Sequence, residues 1–159
     1  MKLKLVDETI VLCESHLDST KSRQSKIDLI LASYLAVYIH SAFEQEIERL
    51  LKDRANHGGD QVLGEFMASC VGAVFRSTFT SEMAGVLGRF GDKFKAHFQS
   101  EMKSQPQAST AWDSIVTHRH GTAHESGGGK FVHEIVDFYN RGHLVLDAFK
   151  VALDSTKKP

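Results

Sequence analysis

"SKIDLILASYLAVYIHSAFEQEIERLLKDRA", residues 25–55, decides the fold. Apolar residues fall on much of the circumference of a helix drawn through it, so that helix is expected to be central, with neighbours on several sides. Ser25 followed by Asp28 reads as a capping box at its start, the serine serving the first free N–H groups and the acid reaching back.

Outward from this segment the 3.6-residue rhythm returns and strand-like alternation does not. "VLGEFMASCVGAVF" (62–75) puts Val62, Leu63, Phe66, Met67, Cys70, Val71, Val74 and Phe75 on one stripe. "EMAGVLGRFGDKFKAHF" (82–98) repeats the pattern with Met83, Val86, Leu87, Phe90, Phe94 and Phe98, and Val132, Ile135, Val136, Tyr139, Leu146, Phe149 and Leu153 do so near the end. Breaks stand at "NHGGD" (56–60), "KSQPQAST" (103–110) and "ESGGGK" (125–130), where glycine, proline and short polar residues favour turns. Thr110 with Asp113 is expected to cap the helix carrying "AWDSIVTHRHGTAH" (111–124). The expectation is one all-α domain over residues 1–159, a bundle of five or six helices joined by short loops.

Composition removes several function classes. A net charge of −1 over 159 residues leaves no global basic field, so a polyanion could be held only by a local patch. Residues 76–103 hold such an excess, five basic residues against three acidic ones, which a solvated face explains equally well. Cys13 and Cys70 fit no metal-finger or redox spacing and read as reduced thiols. Asp7 and Glu8 interrupt any apolar signal core, and no run approaches the roughly 18 apolar residues of a membrane span. The expected location is the cytoplasm. No cofactor motif is found.

The chemistry is concentrated at "RHGTAH", residues 119–124; three of the chain's nine histidines lie within 118–124. Trp112, Ile115 and Val116 set the buried face of this helix, and the same stripe continues to Arg119. A guanidinium at a position where the pattern expects an apolar side chain must be paired or face a cleft. His120 and His124 are four apart and share another edge of the helix. Arg119 and His124 differ by five positions, about 140° of rotation, so they meet on one ligand only if the helix end distorts or a second copy takes part. Three readings follow: cations decorating a helix C-terminus; a His120–His124 metal pair with His118 or His133 as a third ligand, though HExxH is absent and no cysteine pair assists; or acid–base chemistry around an anionic transition state, with an imidazole and a fixed cation.

With those residues in place, the chain resembles the HEPN superfamily, all-α domains with an R-x(4–6)-H motif in which a polar residue follows the arginine. Arg119, His120 and His124 fill the three places. As in that family, the motif sits late in the chain at a helix end, with one more long helix expected after it. "YIHSAFEQEIERL" (38–50) resembles the earlier helix whose acidic and aromatic residues support the site, and the RiboL-PSP-like branch, found in bacterial defence and toxin systems, is the nearest in pattern. The resemblance implies a metal-independent endoribonuclease, acting as a toxin or antiviral effector that an antitoxin or other partner restrains. It further implies a homodimer whose two motifs face one cleft, which would reconcile the 140° separation. Carried over, His124 is the general base or acid, Arg119 holds the scissile phosphate of an RNA substrate, and His120 orients them. Other members of the family lack activity and serve as RNA-binding, nucleotide-binding or dimerisation modules.

Supporting roles fall to Glu44 and His40 on the central helix. Glu44 could orient Arg119 or His120; equally, it could be a solvated glutamate above Glu48, itself followed by Lys52. Glu46 and Glu48 read as surface, and Trp112, Phe90, Phe94 and Phe98 as core. His118, His133 and His143 have no assigned role.

Overall fold

A computed structural model describes residues 1–56, 61–74, 78–122 and 129–154. They form eight helices: α1 (Lys4–Ser19), α2 (Lys26–Asn56), α3 (Gln61–Val74), α4 (Thr80–Phe90), α5 (Asp92–Ser104), α6 (Pro106–Thr122), α7 (Val132–Gly142) and α8 (Leu144–Asp154). No strand occurs among the described residues, and the fold is all-α. The count exceeds the expected five or six for local reasons. Gly91, at φ +133, turns the chain between α4 and α5, a conformation open to glycine and strained for other residues. A turn at His143 likewise divides the last stripe into α7 and α8. An apolar stripe records which positions are buried, and it passes over a one-residue corner without a mark. α1 buries a further stripe, Val6, Ile10, Cys13 and Leu17, absent from the expectation.

α2 is the central helix, packed against α1, α3, α6, α7 and α8. Its inner face runs from Ala32 through Leu35, Ile39, Phe43 and Ile47 to Leu51. By length and composition α2 is also apolar enough to cross a membrane, contrary to the sequence expectation; that composition reflects a helix with one face in the core and a second apolar face, Ile27, Ile30, Tyr34 and Val37, that is exposed. Phe43 stacks on Trp112 with centroids 3.9 Å apart, and Tyr139 meets Phe43 edge-on. These rings join α2, α6 and α7, and such aromatic contacts add to the energy of area burial. α6 and α7 approach closely at Gly142, where an added Cβ would sit 3.1 Å from the Trp112 backbone nitrogen.

The two expected caps resolve differently. Ser25 Oγ accepts from Ile27 N at 3.1 Å, as an N-cap should. Asp28, fully buried, accepts from Gln24 N at 2.8 Å and from Val132 N at 2.8 Å. It therefore ties the start of α2 to the start of α7, 104 residues later. Thr110 does not cap α6. The helix begins at Pro106, where proline's fixed φ and missing N–H suit a first turn, and Thr110 Oγ1 donates back to the Pro106 carbonyl. Asp113 instead caps another helix: its carboxylate accepts from Thr80 N at 3.0 Å and Thr80 Oγ1 at 2.9 Å at the start of α4. The α3 stripe also differs from expectation. Val62, Leu63, Phe66 and Met67 are exposed because α3 packs chiefly on α2, leaving its apolar side uncovered by the described chain. Glu46, expected at the surface, is mostly covered and pairs with Arg49 at 2.6 Å.

Candidate functional site

The motif is carried by α6. Ala108, Ala111, Trp112, Ile115 and Val116 line its buried side, and Arg119 follows on the same stripe, half-buried. The helix ends at Thr122. His120 belongs to α6, but its side chain lies outside the described residues, as does the whole of His124.

α6 runs antiparallel to α2. Midway along the pair, the His40 ring lies parallel to Trp112 with centroids 6.1 Å apart. Past the end of α6, Gly129 lies beside Leu29 and Val132 N is held by Asp28, both at the start of α2. Arg119 is seven residues beyond Trp112, roughly 10 Å at a helical rise of about 1.5 Å per residue. It therefore stands level with roughly residues 33–36 of α2.

Glu44 and His40, the two residues expected to support the site, come together with Trp112. Glu44 Oε2 lies 3.3 Å from His40 Nδ1, and His40 Nε2 is 2.7 Å from Thr78 Oγ1. The Trp112 indole donates to the Thr78 carbonyl at 2.6 Å. His40 and Thr78 are fully buried, so Thr78 closes a polar node between α2 and α6 within the core. His40 Nε2, the Thr78 hydroxyl and carbonyl and the Trp112 indole are hydrogen-bonded within this node, as buried polar groups usually are, and the node fixes the position of α6, and of Arg119 with it, along α2. Sequence reasoning missed Thr78, which follows no motif, and read Asp113 as a cap for the wrong helix. Glu48 pairs with Lys52 at 2.6 Å, the i, i+4 reading.

His118 faces the other way. With Thr110, Asp113, Ser114, Thr117, Lys130 and Phe138 it lines a shallow groove of about 520 Å³, mostly on the side of α6 turned away from Arg119. Burial pushes its pKa down, the nearby Lys130 adds to this, and Glu134 opposes it. Its Nε2 is buried with no hydrogen-bond partner among the described residues. Burial, helped by Glu14, raises the Cys13 thiol pKa, and both cysteines are free. No three His, Cys, Asp or Glu side chains converge among the described residues; the His120–His124 pair is not among those side chains.

Comparison of the chain with protein-family models, with curated proteins and with solved structures returned no match.

Proposed function

We propose that the chain is a metal-independent endoribonuclease of the HEPN type, working as a homodimer with a composite cleft. One observation carries the reading: Arg119 continues the core stripe of α6 past Val116 and is half-buried at that helix's end, beside the segment holding His124. A guanidinium in that setting is partly desolvated, where it attracts an anion more strongly than on an open surface. The His40–Thr78–Trp112 node supports the reading by making α6 a rigid mount, because groups that act on a transition state must be held in advance.

In this mechanism the ribose 2′-oxygen attacks the adjacent phosphorus as its proton passes to an imidazole. The bond from phosphorus to the 5′-oxygen breaks, and that oxygen takes up a proton. The products are a 2′,3′-cyclic phosphate and a 5′-hydroxyl, with no water consumed. His124 moves the proton, Arg119 balances the charge growing on the phosphoryl oxygens, and His120 orients both. Proton transfer of this kind contributes about 10²- to 10⁴-fold. The test is incubation of the full chain with labelled RNA in EDTA beside His124→Ala and Arg119→Ala. Chelator-resistant cleavage lost in both variants is the expected result. RNA retained without cleavage would instead make the chain a binding module, and cleavage only with added metal would remove the mechanism.

A further inference from the structure

The groove of about 520 Å³ beside His118 has no part in the mechanism above. Thr110, Ser114, Thr117 and His118 line it from one face of α6, whereas Arg119 continues the core stripe on the other side. Lys130, just before α7, and Phe138, on α7, complete the lining at the His118 end. His118 Nε2 is buried with no hydrogen-bond partner among the described residues, where buried polar atoms usually have one. Lys130 Nζ is paired with Glu134 at 2.9 Å and lies 5.9 Å from the Phe138 ring centroid. The Lys130 and Glu134 side chains are 42 and 31% exposed. A pair this exposed is weak, so the ammonium is free to turn toward another anion. Ser114 Oγ donates to the Thr110 carbonyl at 2.7 Å, and Thr117 Oγ1 to the Asp113 carbonyl at 2.8 Å. Such back-bonds add little to a helix, and either hydroxyl can turn outward to donate to a ligand.

We infer that the His118 end of this groove binds the phosphate of a small phosphate monoester, with Lys130 Nζ, the His118 imidazole and the Ser114 hydroxyl as donors. The inference does not rest on the nuclease reading. The chemistry of the donors selects the ligand. A phosphate brings three strong acceptor oxygens to three donor groups, and it gives the unpartnered imidazole nitrogen a partner as Lys130 turns inward. A cationic ligand would meet Lys130 instead. Asp113 is the acidic residue of the lining, and it stands about 7.5 Å along α6 from His118. Its carboxylate already accepts from Thr80 N and Thr80 Oγ1, and the start of α4 offsets its charge. It therefore faces the uncharged body of the ester, whose hydroxyl groups suit an acceptor. From His118 to Thr110 the groove runs about 12 Å along α6, the length of a sugar phosphate. The charges acting on the imidazole are Lys130, which lowers its pKa, and Glu134, which raises it. A bound phosphate adds to the second, so occupancy is readable at His118 itself.

The test follows the histidine ring signals of the full chain by NMR during titration with two probes. One is glucose 6-phosphate, beside glucose. The other is a short 2′-deoxy oligonucleotide with a 5′-phosphate, beside the same strand ending in a 5′-hydroxyl. A saturable shift of the His118 signals and a rise in its pKa are expected with at least one phosphorylated probe and with neither counterpart; the tighter probe says whether the phosphate belongs to a free ester or to a strand end. Lys130→Gln should weaken binding by about tenfold or more and Ser114→Ala by a smaller factor, with folding checked by circular dichroism. Arg119→Ala should leave the affinity unchanged. No saturable shift at His118, equal binding of an unphosphorylated counterpart, or affinity unaltered by Lys130→Gln would each overturn the inference. So would affinity lost in Arg119→Ala and kept in Lys130→Gln, since the phosphate would then sit at the motif. Neither probe has a 2′-hydroxyl beside an internucleotide phosphate, so the outcome is independent of RNA cleavage.

Discussion

Replacing Asp28 by alanine removes the acceptor of two backbone N–H groups, those of Gln24 and Val132, each at 2.8 Å. Both bonds are made to a side chain that is fully buried. A hydrogen bond to a charged group contributes about 1.5–3 kcal/mol, and a buried donor left without a partner forfeits its solvation as well. Water can reach the exposed side of residue 24 more easily than Val132, which is fully buried. Taking the low end for Gln24 and the high end for Val132 gives a loss of about 4.5 kcal/mol. At about 2–4 °C per kcal/mol for a chain of this size, the melting temperature should fall by about 9–18 °C. Urea unfolding followed by circular dichroism measures the free energy, and amide exchange at Val132 reports the site. Asp28→Asn should recover part of the loss, because one oxygen remains to accept. A loss below about 1 kcal/mol for the alanine variant, with Val132 still protected, would refute the idea that Asp28 joins the starts of α2 and α7.

Gly142→Ala should destabilise by about 1–3 kcal/mol, because its Cβ would press on the Trp112 backbone at 3.1–3.2 Å, and thermal melts will show it. Trp112→Phe removes the donor to the buried Thr78 carbonyl and part of the ring on Phe43; a loss of about 2–3 kcal/mol in urea unfolding is expected. His118 and His143 both have folded-state pKa values pushed below the ordinary imidazole value, chiefly by burial, with Lys130 and the N-terminal ammonium respectively as the next causes. The unfolded chain therefore binds more protons in acid, so stability should fall as pH drops through about 6.5 and level off below the folded values. His118→Gln should flatten that decline, and stability unchanged between pH 7 and 5 would contradict it.

Periodicity made most of the helices legible. Trp112, Ile115 and Val116 were readable as a core face because a 3.6-residue stripe needs no tertiary knowledge, and the same stripe singled out Arg119. Contacts between distant segments were not legible. Nothing near Asp28 says that its second oxygen will hold Val132, and Asp113 looks like a local cap because its partner, Thr80, is 33 residues away. The α3 stripe misled for a related reason: the pattern of Val62, Leu63, Phe66 and Met67 says which face is apolar, not what covers it. Gly91 and His143 show the limit on boundaries, since a corner that preserves the apolar rhythm leaves no trace in it. At the candidate site, motif and spacing were enough to single out Arg119, His40 and Glu44. Thr78, which locks His40 and Trp112 together, was not singled out, because a lone threonine before a helix has many uses.

The most direct test of the central claim is mass spectrometry of the ends left on a synthetic RNA after incubation with the full chain in excess EDTA. The expected result is a 2′,3′-cyclic phosphate on one fragment and a 5′-hydroxyl on the other, both absent with Arg119→Ala. Ends bearing a 3′-hydroxyl and a 5′-phosphate, or the same cyclic ends undiminished in that variant, would contradict it.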